Sequence, residues 1–233
     1  MFHSEYMTTF VHPSWHKVLR HVFESKRFRR LCMDINVMYQ NDSTCEPPLP
    51  FLFKPLEIPF DSINVVILGQ DAVKTPLVAT GRPFESRTAF HVPDSLKYIL
   101  EEIRDEYEYD KVRVRVDLQP WVDQGVFLMN SGWFHSKSTS PKIKRRSHWA
   151  KTRWLTDAII EAISTHRPHV VFMLWGNVQQ ARIPYIKKSY EHLILKAQFP
   201  CDKYRSGFMG CGHFKQCNEF LVKHKLPVIE WRL

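Results

Sequence analysis

An acidic side chain directly after a short apolar run is the first feature of the sequence that could carry out chemistry. Asp71 closes the segment Gly69-Gln70-Asp71, which follows the apolar, β-branched stretch 64–68. A carboxylate at such a place can activate a water molecule or face a cation that develops during a reaction. It can equally be a turn residue or a helix N-cap, so residue type alone leaves both roles open.

Two further side chains could recognise a flat ligand. Asn130 follows the apolar segment 125–129, and its amide offers both a donor and an acceptor to the edge of a planar group. Phe84, in the segment Gly81-Arg82-Pro83-Phe84, could be a platform on which such a group stacks. The structural alternatives are a turn asparagine and a core phenylalanine.

The charge of the chain points to a polyanionic partner. There are 33 Lys and Arg against 24 Asp and Glu, a formal net charge of +9, and nucleic acid is the commonest partner of such a domain. Residues 137–153 hold seven of these cations and no acid, with Trp149 among them and Trp154 next to them. A basic segment with aromatics suits a phosphate backbone and exposed bases, although it could also be a solvated loop. The segment 201–207 could be a second DNA-facing loop, while Cys201 lacks any sequence feature that marks a base for a nucleophile.

Composition excludes several classes of protein. The 233 residues are 44% hydrophobic and 13% aromatic, which is enough for the core of one domain over residues 1–233, with 1–12 expected as a flexible N-terminus. No apolar run approaches the ~18 residues of a membrane helix, and the N-terminus lacks the pattern of a secretory signal. Five cysteines without a CxxC pair argue against a disulfide framework. We therefore expect a protein that is not secreted, located in a prokaryotic cytoplasm or at a nuclear or viral replication site.

The candidate side chains need a scaffold that brings distant segments together, and the apolar pattern predicts one. The predicted strands are Asn64–Leu68, Gly125–Met129, His169–Trp175 and Leu193–Ala197, and the predicted helices are Ser14–Leu31, Ser95–Tyr107, Leu155–Thr165 and Phe214–His224. Strands that alternate with helices are typical of a largely parallel sheet, which binds ligands beyond the carboxyl ends of its strands. The candidate site segments are therefore 69–73, 130–132, 176–177 and 198–205.

Several segments, in order along the chain, resemble the motifs of the family 1 uracil-DNA glycosylases. VVILGQD at 65–71 is similar to the water-activating motif, GVFLMN at 125–130 to the uracil-reading strand, and VFMLWGN at 171–177 to the phosphate-binding turn. The segments 147–159, 207–221 and 227–231 also match, so that the resemblance runs from about residue 13 to the end. It implies a three-layer α/β/α fold around a central, mainly parallel four-stranded sheet.

The same resemblance implies an activity and assigns roles to single positions. A monomeric, monofunctional DNA glycosylase would flip a pyrimidine from double- or single-stranded DNA and leave an abasic site, with no metal or organic cofactor. Asp71 would orient the water, Gln70 would touch the base through its backbone, Phe84 would stack on it, and Asn130 would read its edge. The remaining predicted DNA contacts, which include the basic segment and the proline loop, are Lys74, Pro47, Pro48, Lys144, Arg145, Arg146, His148, Gly176, Asn177, Lys203, Tyr204 and Arg205.

Three departures from the family pattern bear on specificity. Val73 stands where the family has a tyrosine against C5 of uracil, so the wall that excludes thymine is lost if the backbone keeps its course. Gln198 stands where the family has its catalytic histidine, and its amide could still donate to O2 of the base. Asp202 replaces the intercalating leucine, which leaves Tyr204, Arg205 or no residue as the wedge.

Three functional interpretations stay open at this point. Retention of Asp71, Phe84 and Asn130 favours an active glycosylase shifted to C5-substituted pyrimidines, such as the hydroxymethylated or glucosylated bases of phage DNA, with a role in defence. Loss of the tyrosine, histidine and leucine favours an inactive DNA-binding or replication subunit, as in the poxvirus relative. The third interpretation is an ordinary uracil-DNA glycosylase in which Arg82, Lys74 or Phe199 refills the space at C5.

Overall fold

Four parallel strands form the centre of the computed structural model, which describes residues 10–72, 78–110, 114–137, 145–201 and 207–233. The strands of the chain are β1 (Val65–Asp71), β2 (Val126–Gly132), β3 (His135–Lys137), β4 (Arg145–Ser147), β5 (Val171–Trp175) and β6 (Leu193–Ala197). The sheet has the order β2-β1-β5-β6, while β3 and β4 form a separate antiparallel pair. All strands of the sheet run parallel, so their carboxyl ends meet at one edge.

Helices cover this sheet and complete the predicted three-layer α/β/α architecture, which is confirmed. They are α1 (Pro13–Phe23), α2 (Lys26–Asn41), α3 (Asp94–Tyr107), α4 (Gln119–Asp123), α5 (Trp149–His166), α6 (Asn177–Gln180) and α7 (His213–Lys223). Helix α5 packs on β2 and α1, and α7 packs on β5, β6 and α3. Because helices lie over the sheet, β2 and β5 are buried along their whole length. Within the described ranges, no helix has the length and apolarity needed to cross a bilayer.

The structure differs from the sequence-based expectation mainly at element ends. The predicted helix 14–31 is two helices, because Ser25 starts α2 as an N-cap whose Oγ accepts from the Phe28 amide at 3.1 Å. The apolar spacing continues through this break and hides it. The strand predicted from His169 begins at Val171, since His169 has a positive φ of 52°. The β3–β4 pair, whose second strand lies in the basic segment, was not predicted.

Candidate active site

A pocket of about 460 Å³ lies at the carboxyl edge of the sheet. Asp71 and Asn130 enter it from the ends of β1 and β2, and Phe84 enters from the turn that follows β1. The opposite wall is the segment His91–Ser95 together with residues after β6, including Phe199. This volume lies within the range of small-ligand sites, and three of the four segments predicted from strand ends contribute to the pocket.

Strand pairing explains why Asp71 and Asn130 share the pocket. In the β1–β2 register, Gly69 lies opposite Asn130 and Asp71 lies opposite Gly132. Alternate residues of a strand face the same side, so Asp71 is directed to the side that Gly69 and Asn130 share. Two residues that are far apart in sequence therefore meet because the two strands pair in this register.

Asn130 is held ready for a ligand. Its side chain is buried, and within the described part of the chain neither Oδ1 nor Nδ2 makes a hydrogen bond. A buried polar group without a partner costs about 1–3 kcal/mol, so such groups are concentrated where a ligand completes them. A Cβ atom on Gly69 would collide with Oδ1 of Asn130 and with Cβ of Pro83. The glycine thus leaves the space in which this amide and the turn before Phe84 meet.

The Phe84 platform is fixed by buried charges from distant parts of the chain. Phe84 has a positive φ of 66°, a conformation that costs roughly 1–3 kcal/mol in a residue with a side chain. The neighbouring Glu85 is buried, lies 3.2 Å from Nζ of Lys54, and accepts from the Leu118 amide at 3.1 Å. The Phe84 ring packs at 5.8 Å from the ring of Trp175 at the end of β5. These contacts hold the strained turn and direct the ring into the pocket.

Arg82 does not refill the pocket. Its guanidinium is buried, donates to Oε1 of Gln119 at 2.7 Å, and lies 3.6 Å from Glu57 and 3.5 Å from Glu85. The physical reason is charge pairing, because a buried guanidinium requires acidic and polar partners, and those of Arg82 are residues that do not line the pocket. The hypothesis that Arg82 takes the space beside C5 is therefore wrong.

Phe199, and not Gln198, is the residue after β6 that faces the pocket. The side chain of Gln198 is exposed, and the backbone N–H of this residue donates to the carbonyl of Gly207 at 3.1 Å. Phe199 lies with its ring centroid 6.3 Å from that of Phe84, at an angle of 38°. Side chains alternate in extended chain, so if one of these neighbours points inward the other points away. The proposed donation from Gln198 to the base stays a prediction that this conformation does not support.

Several predicted DNA contacts have structural surroundings instead. Pro47 is buried and its carbonyl accepts from the Tyr39 hydroxyl at 2.8 Å, so of the two prolines only Pro48 has a partly exposed ring. His148 is buried, stacks on Phe134 at 4.8 Å, and has Nε2 3.0 Å from Oγ of Ser136. Burial of Pro47 and His148 contradicts their prediction as direct contacts in this conformation. The sequence could not reveal these partners, which are distant or come from the unpredicted hairpin.

The tryptophans of the basic segment are paired with arginines of the same chain. The Arg153 guanidinium lies 4.8 Å from the Trp149 ring centroid, and that of Arg27 lies 4.4 Å from the Trp154 ring centroid. Lys151 is paired with Asp34 at 2.9 Å. The Trp149 pair forms within one turn of α5, and the Trp154 pair joins α5 to α2. These cation–π contacts occupy indole faces that were expected to stack on bases.

The remaining predicted residues divide into three groups. Gly176 and the exposed Asn177 follow β5 at the same edge of the sheet as the pocket, where Gly176 has a positive φ of 98°. The structure describes only the backbone of Arg145 and Arg146, which pair with β3. The predictions outside the described residues are Val73, Lys74, Lys144, Asp202, Lys203, Tyr204 and Arg205.

Two carboxylates of α3 that were not predicted as functional bind the backbone of residues 210–215. Glu102 of α3 accepts from the amides of Gly210 at 2.5 Å and Gly212 at 3.1 Å. Glu106, one turn later, accepts from the amides of Phe214 at 3.3 Å and Lys215 at 2.8 Å at the start of α7. Burial raises the pKa of Glu106 to about 7, and the neighbouring Glu102 adds to the rise. An acidic pair spaced by four residues was the only sequence signal for this arrangement.

Two other reactive side chains are not placed for catalysis. The Trp175 indole N–H donates to Nδ1 of His213 at 3.0 Å, and burial lowers the pKa of His213 to about 4, so this ring is a neutral structural partner. Packing around the sulfur raises the pKa of Cys201 although the residue as a whole is exposed. A raised pKa disfavours the thiolate that a nucleophile requires.

One histidine cluster lies at the other end of the sheet. Ligand atoms of His169, Glu191 and His224 fall within 4.8 Å of one another, a proximity that their sequence spacing does not show. The ammonium of Lys223 is 2.7 Å from Oε1 of Glu191, and this hydrogen bond is the main cause of a lowered Glu191 pKa. The carboxylate thus already has a cationic partner, which makes the group an ion-pair cluster.

Similar proteins identify the family. No family model matches the chain. A "Uracil-DNA glycosylase" of Porphyromonas gingivalis is 35% identical over 223 residues, which cover 95% of this chain and 98% of that protein. A protein of the same name from Campylobacter concisus is 37% identical over 226 residues, covering 96% and 94%.

A solved structure matches in fold. The mimivirus uracil-DNA glycosylase superposes with a TM-score of 0.83 at 21% identity, over 97% of this chain and 89% of that one. The curated relatives agree with the predicted enzyme class, a monofunctional hydrolase of N-glycosidic bonds in DNA. The chain belongs to the uracil-DNA glycosylase family.

Proposed function

We propose that this glycosylase flips a pyrimidine into the pocket, hydrolyses its N-glycosidic bond, and accepts bases with a substituent at C5. The observation that carries the proposal is the convergence of Asp71, Asn130 and Phe84 in one pocket. Pure DNA binding requires neither a carboxylate nor a buried unpaired amide at the same place. Retention of both supports catalysis over a binding subunit.

Each side chain has a distinct role in the proposed reaction. The base stacks on Phe84, and its edge supplies the donor and acceptor that Asn130 lacks. The bond between C1′ and the base breaks first, with the electron pair leaving on the base and positive charge developing on the sugar. The Asp71 carboxylate stabilises that charge and orients a water, whose oxygen bonds to C1′ while its proton is released. The products are a free base and an abasic site.

Acceptance of C5 substituents rests on the sequence and on pocket shape. Val73 stands where related glycosylases have a tyrosine, and valine is much smaller. The pocket also continues along the segment 91–95 and reaches Cys201, which supports space beyond a bare pyrimidine ring. Excision of such bases from phage DNA would leave abasic sites in the invading genome, and we propose antiphage defence as the role.

Excision of plain uracil is the second candidate. The relatives with 35–37% identity are named for uracil, and Phe199 lies in the pocket near Phe84. If Phe199 closes the space that the tyrosine leaves, the pocket would reject C5 substituents.

Base release from defined DNAs separates the candidates. The panel contains uracil, thymine, 5-hydroxymethyluracil, cytosine, 5-hydroxymethylcytosine and glucosylated phage DNA, with Asp71→Asn as the blank. The proposal predicts release from C5-substituted DNA, and release of uracil alone would support the second candidate. Wild-type binding without release from any DNA would refute the enzyme.

The defence role has a separate test. Cells that express the wild type or Asp71→Asn are challenged with a phage whose DNA carries hydroxymethylated pyrimidines and with a phage of unmodified DNA. Protection should require Asp71 and act only on the modified phage. Equal plaque numbers in all four combinations would exclude this role.

A further inference from the structure

A fully exposed phenylalanine lies beside the pocket. Phe90 has the largest exposure among the exposed large hydrophobic residues of the described chain, and the next residue, His91, lines the pocket. Scattered apolar side chains are normal on protein surfaces, but an aromatic ring with its whole surface in water gains nothing from folding. Its place at the pocket rim makes a ligand-dependent role the simplest explanation.

The turn that carries Phe90 is held by several hydrogen bonds. The Arg87 amide donates to the carbonyl of Val78 at 2.9 Å, and the Ser86 hydroxyl donates to the carbonyl of Thr88 at 2.9 Å. The Phe90 amide donates to Oγ1 of Thr88 at 3.3 Å. The next residue, His91, also donates its backbone N–H to the carbonyl of Thr88 at 3.3 Å, so the outward direction of the ring is a property of this turn.

The same turn is connected to a second predicted DNA-contacting segment. The guanidinium of Arg87 lies 4.8 Å from the ring centroid of Phe51, directly after the proline loop 47–50. Arg87 is itself exposed and positively charged, as expected of a residue near a phosphate backbone. Phe90 therefore projects between the pocket and a segment that carries the exposed, cationic Arg87.

We propose that Phe90 inserts into the DNA base stack and occupies the space that the flipped nucleotide leaves. This inference rests on the proposed base-flipping function. Extrusion of a base leaves its two neighbours without stacking partners, and proteins that distort DNA commonly insert an apolar side chain at such a step. An aromatic ring suits this purpose because it stacks on any base.

The sequence supports Phe90 over Asp202, the residue at the position of the family's intercalating leucine, while the alternatives Tyr204 and Arg205 lie outside the described residues. Asp202 stands at that position, and an anionic side chain cannot stack and would face the phosphates with the wrong charge. Phe90 lies between Phe84 and α3, far in sequence from the segment 198–205. The resemblance to the family therefore did not point to it as a wedge. Its complete exposure is visible only in the folded chain.

Kinetics on two forms of one DNA test the proposal. We compare single-turnover base release from a duplex and from the matching single strand, using the base that the wild type releases best. Phe90→Ala should lower the rate on duplex by about 10-fold or more, because one base-stacking contact is lost. Release from the single strand should change little, because that substrate has no opposite strand to hold the stack closed.

Three variants make the result specific. Phe90→Trp should restore duplex activity, and Phe90→Ser should not. Val222→Ala, which shortens another exposed apolar side chain at the far end of α7, is the matched control and should behave as wild type. Equal losses on both substrates, or full duplex activity in Phe90→Ala, would overturn the proposal.

A binding readout keeps this inference separate from the proposed activity. The fluorescence of 2-aminopurine placed next to the target base reports stacking changes when protein binds duplex DNA. If the wild type releases no base, the proposed function fails, yet a fluorescence change that Phe90→Ala abolishes would still support insertion. If that change is identical in Phe90→Ala, the ring does not enter the stack.

Discussion

Replacement of Gly69 by alanine is the sharpest test of how the site is assembled. The added methyl would overlap Oδ1 of Asn130 and Cβ of Pro83. Carbon atoms in proteins pack at about 3.5–4.0 Å, so each neighbour must retreat by roughly 1 Å or more. Gly69 is in the buried β1 strand and cannot itself move away, because it is paired with Asn130 of β2. The displacement therefore falls on the side chain that reads the base and on the turn that carries Phe84.

The expected magnitudes differ for stability and activity. Overpacking of this kind costs about 1–3 kcal/mol of unfolding free energy, which lowers the Tm of a chain of this size by roughly 2–12 °C. Misplacement of a reacting group by about 1 Å can reduce catalysis by about 100-fold. Gly69→Ala should therefore remain folded and yet lose about two orders of magnitude in kcat/KM for base release.

Gly210→Ala is the matched control for this prediction. In the described part of the chain nothing lies within 4 Å of the position that its Cβ would take, although its φ is 76°. This variant should lose about 1–2 kcal/mol of stability from backbone strain and keep near wild-type kcat/KM at a temperature where it is folded. A Gly69→Ala enzyme as active as this control would refute the assembly of the site described above.

Three further predictions use other contacts. Folding raises the pKa of Glu106 to about 7, so the free energy of unfolding should fall as the pH rises from about 4.5 to 7. Glu106→Gln should lack this fall, and urea unfolding measured at several pH values would reveal the difference. The difference between these two proteins isolates Glu106 from His213, whose pKa of about 4 gives the opposite slope from pH 4 to 6.5. Phe199→Ala should raise the release of C5-substituted bases relative to uracil, and an unchanged ratio would show that Phe199 does not limit the pocket. Asn130→Leu should retain the fold, seen as an unchanged or higher Tm, and lose base release by at least about 100-fold.

Local sequence pattern was sufficient where the chemistry depends on strand ends. Asp71 and Asn130 follow short buried runs, and the parallel sheet then brings them together without further information. The Phe84 turn could not be derived in this way, since its positive φ is maintained by Lys54 and Leu118, which are distant in sequence. The resemblance places Gln198 at the position of the family's histidine, but a sequence contains no side-chain direction, so it did not show that Phe199 faces the pocket instead.

Burial was the other property that the sequence concealed. His148 lies in a basic segment and was predicted to contact DNA, but it stacks on Phe134, just before β3, and lies beside Ser136 of β3. Phe90 is the opposite case, because phenylalanine is usually a core residue and this one is fully exposed. In both cases the exposure of the side chain is decided by tertiary packing around it, which local composition does not show.

Helix α3 connects one wall of the pocket to the start of α7. Its first residues, Asp94 and Ser95, line the pocket, while Glu102 and Glu106 grip the backbone that leads into α7. Since α7 also packs on β5 and β6, these contacts connect the pocket wall formed by α3 to the central sheet. Movement of α3 away from α7 would break several hydrogen bonds between these carboxylates and backbone amides at once. Base specificity is therefore easier to alter by exchanging pocket side chains such as Phe199 than by moving α3 and α7.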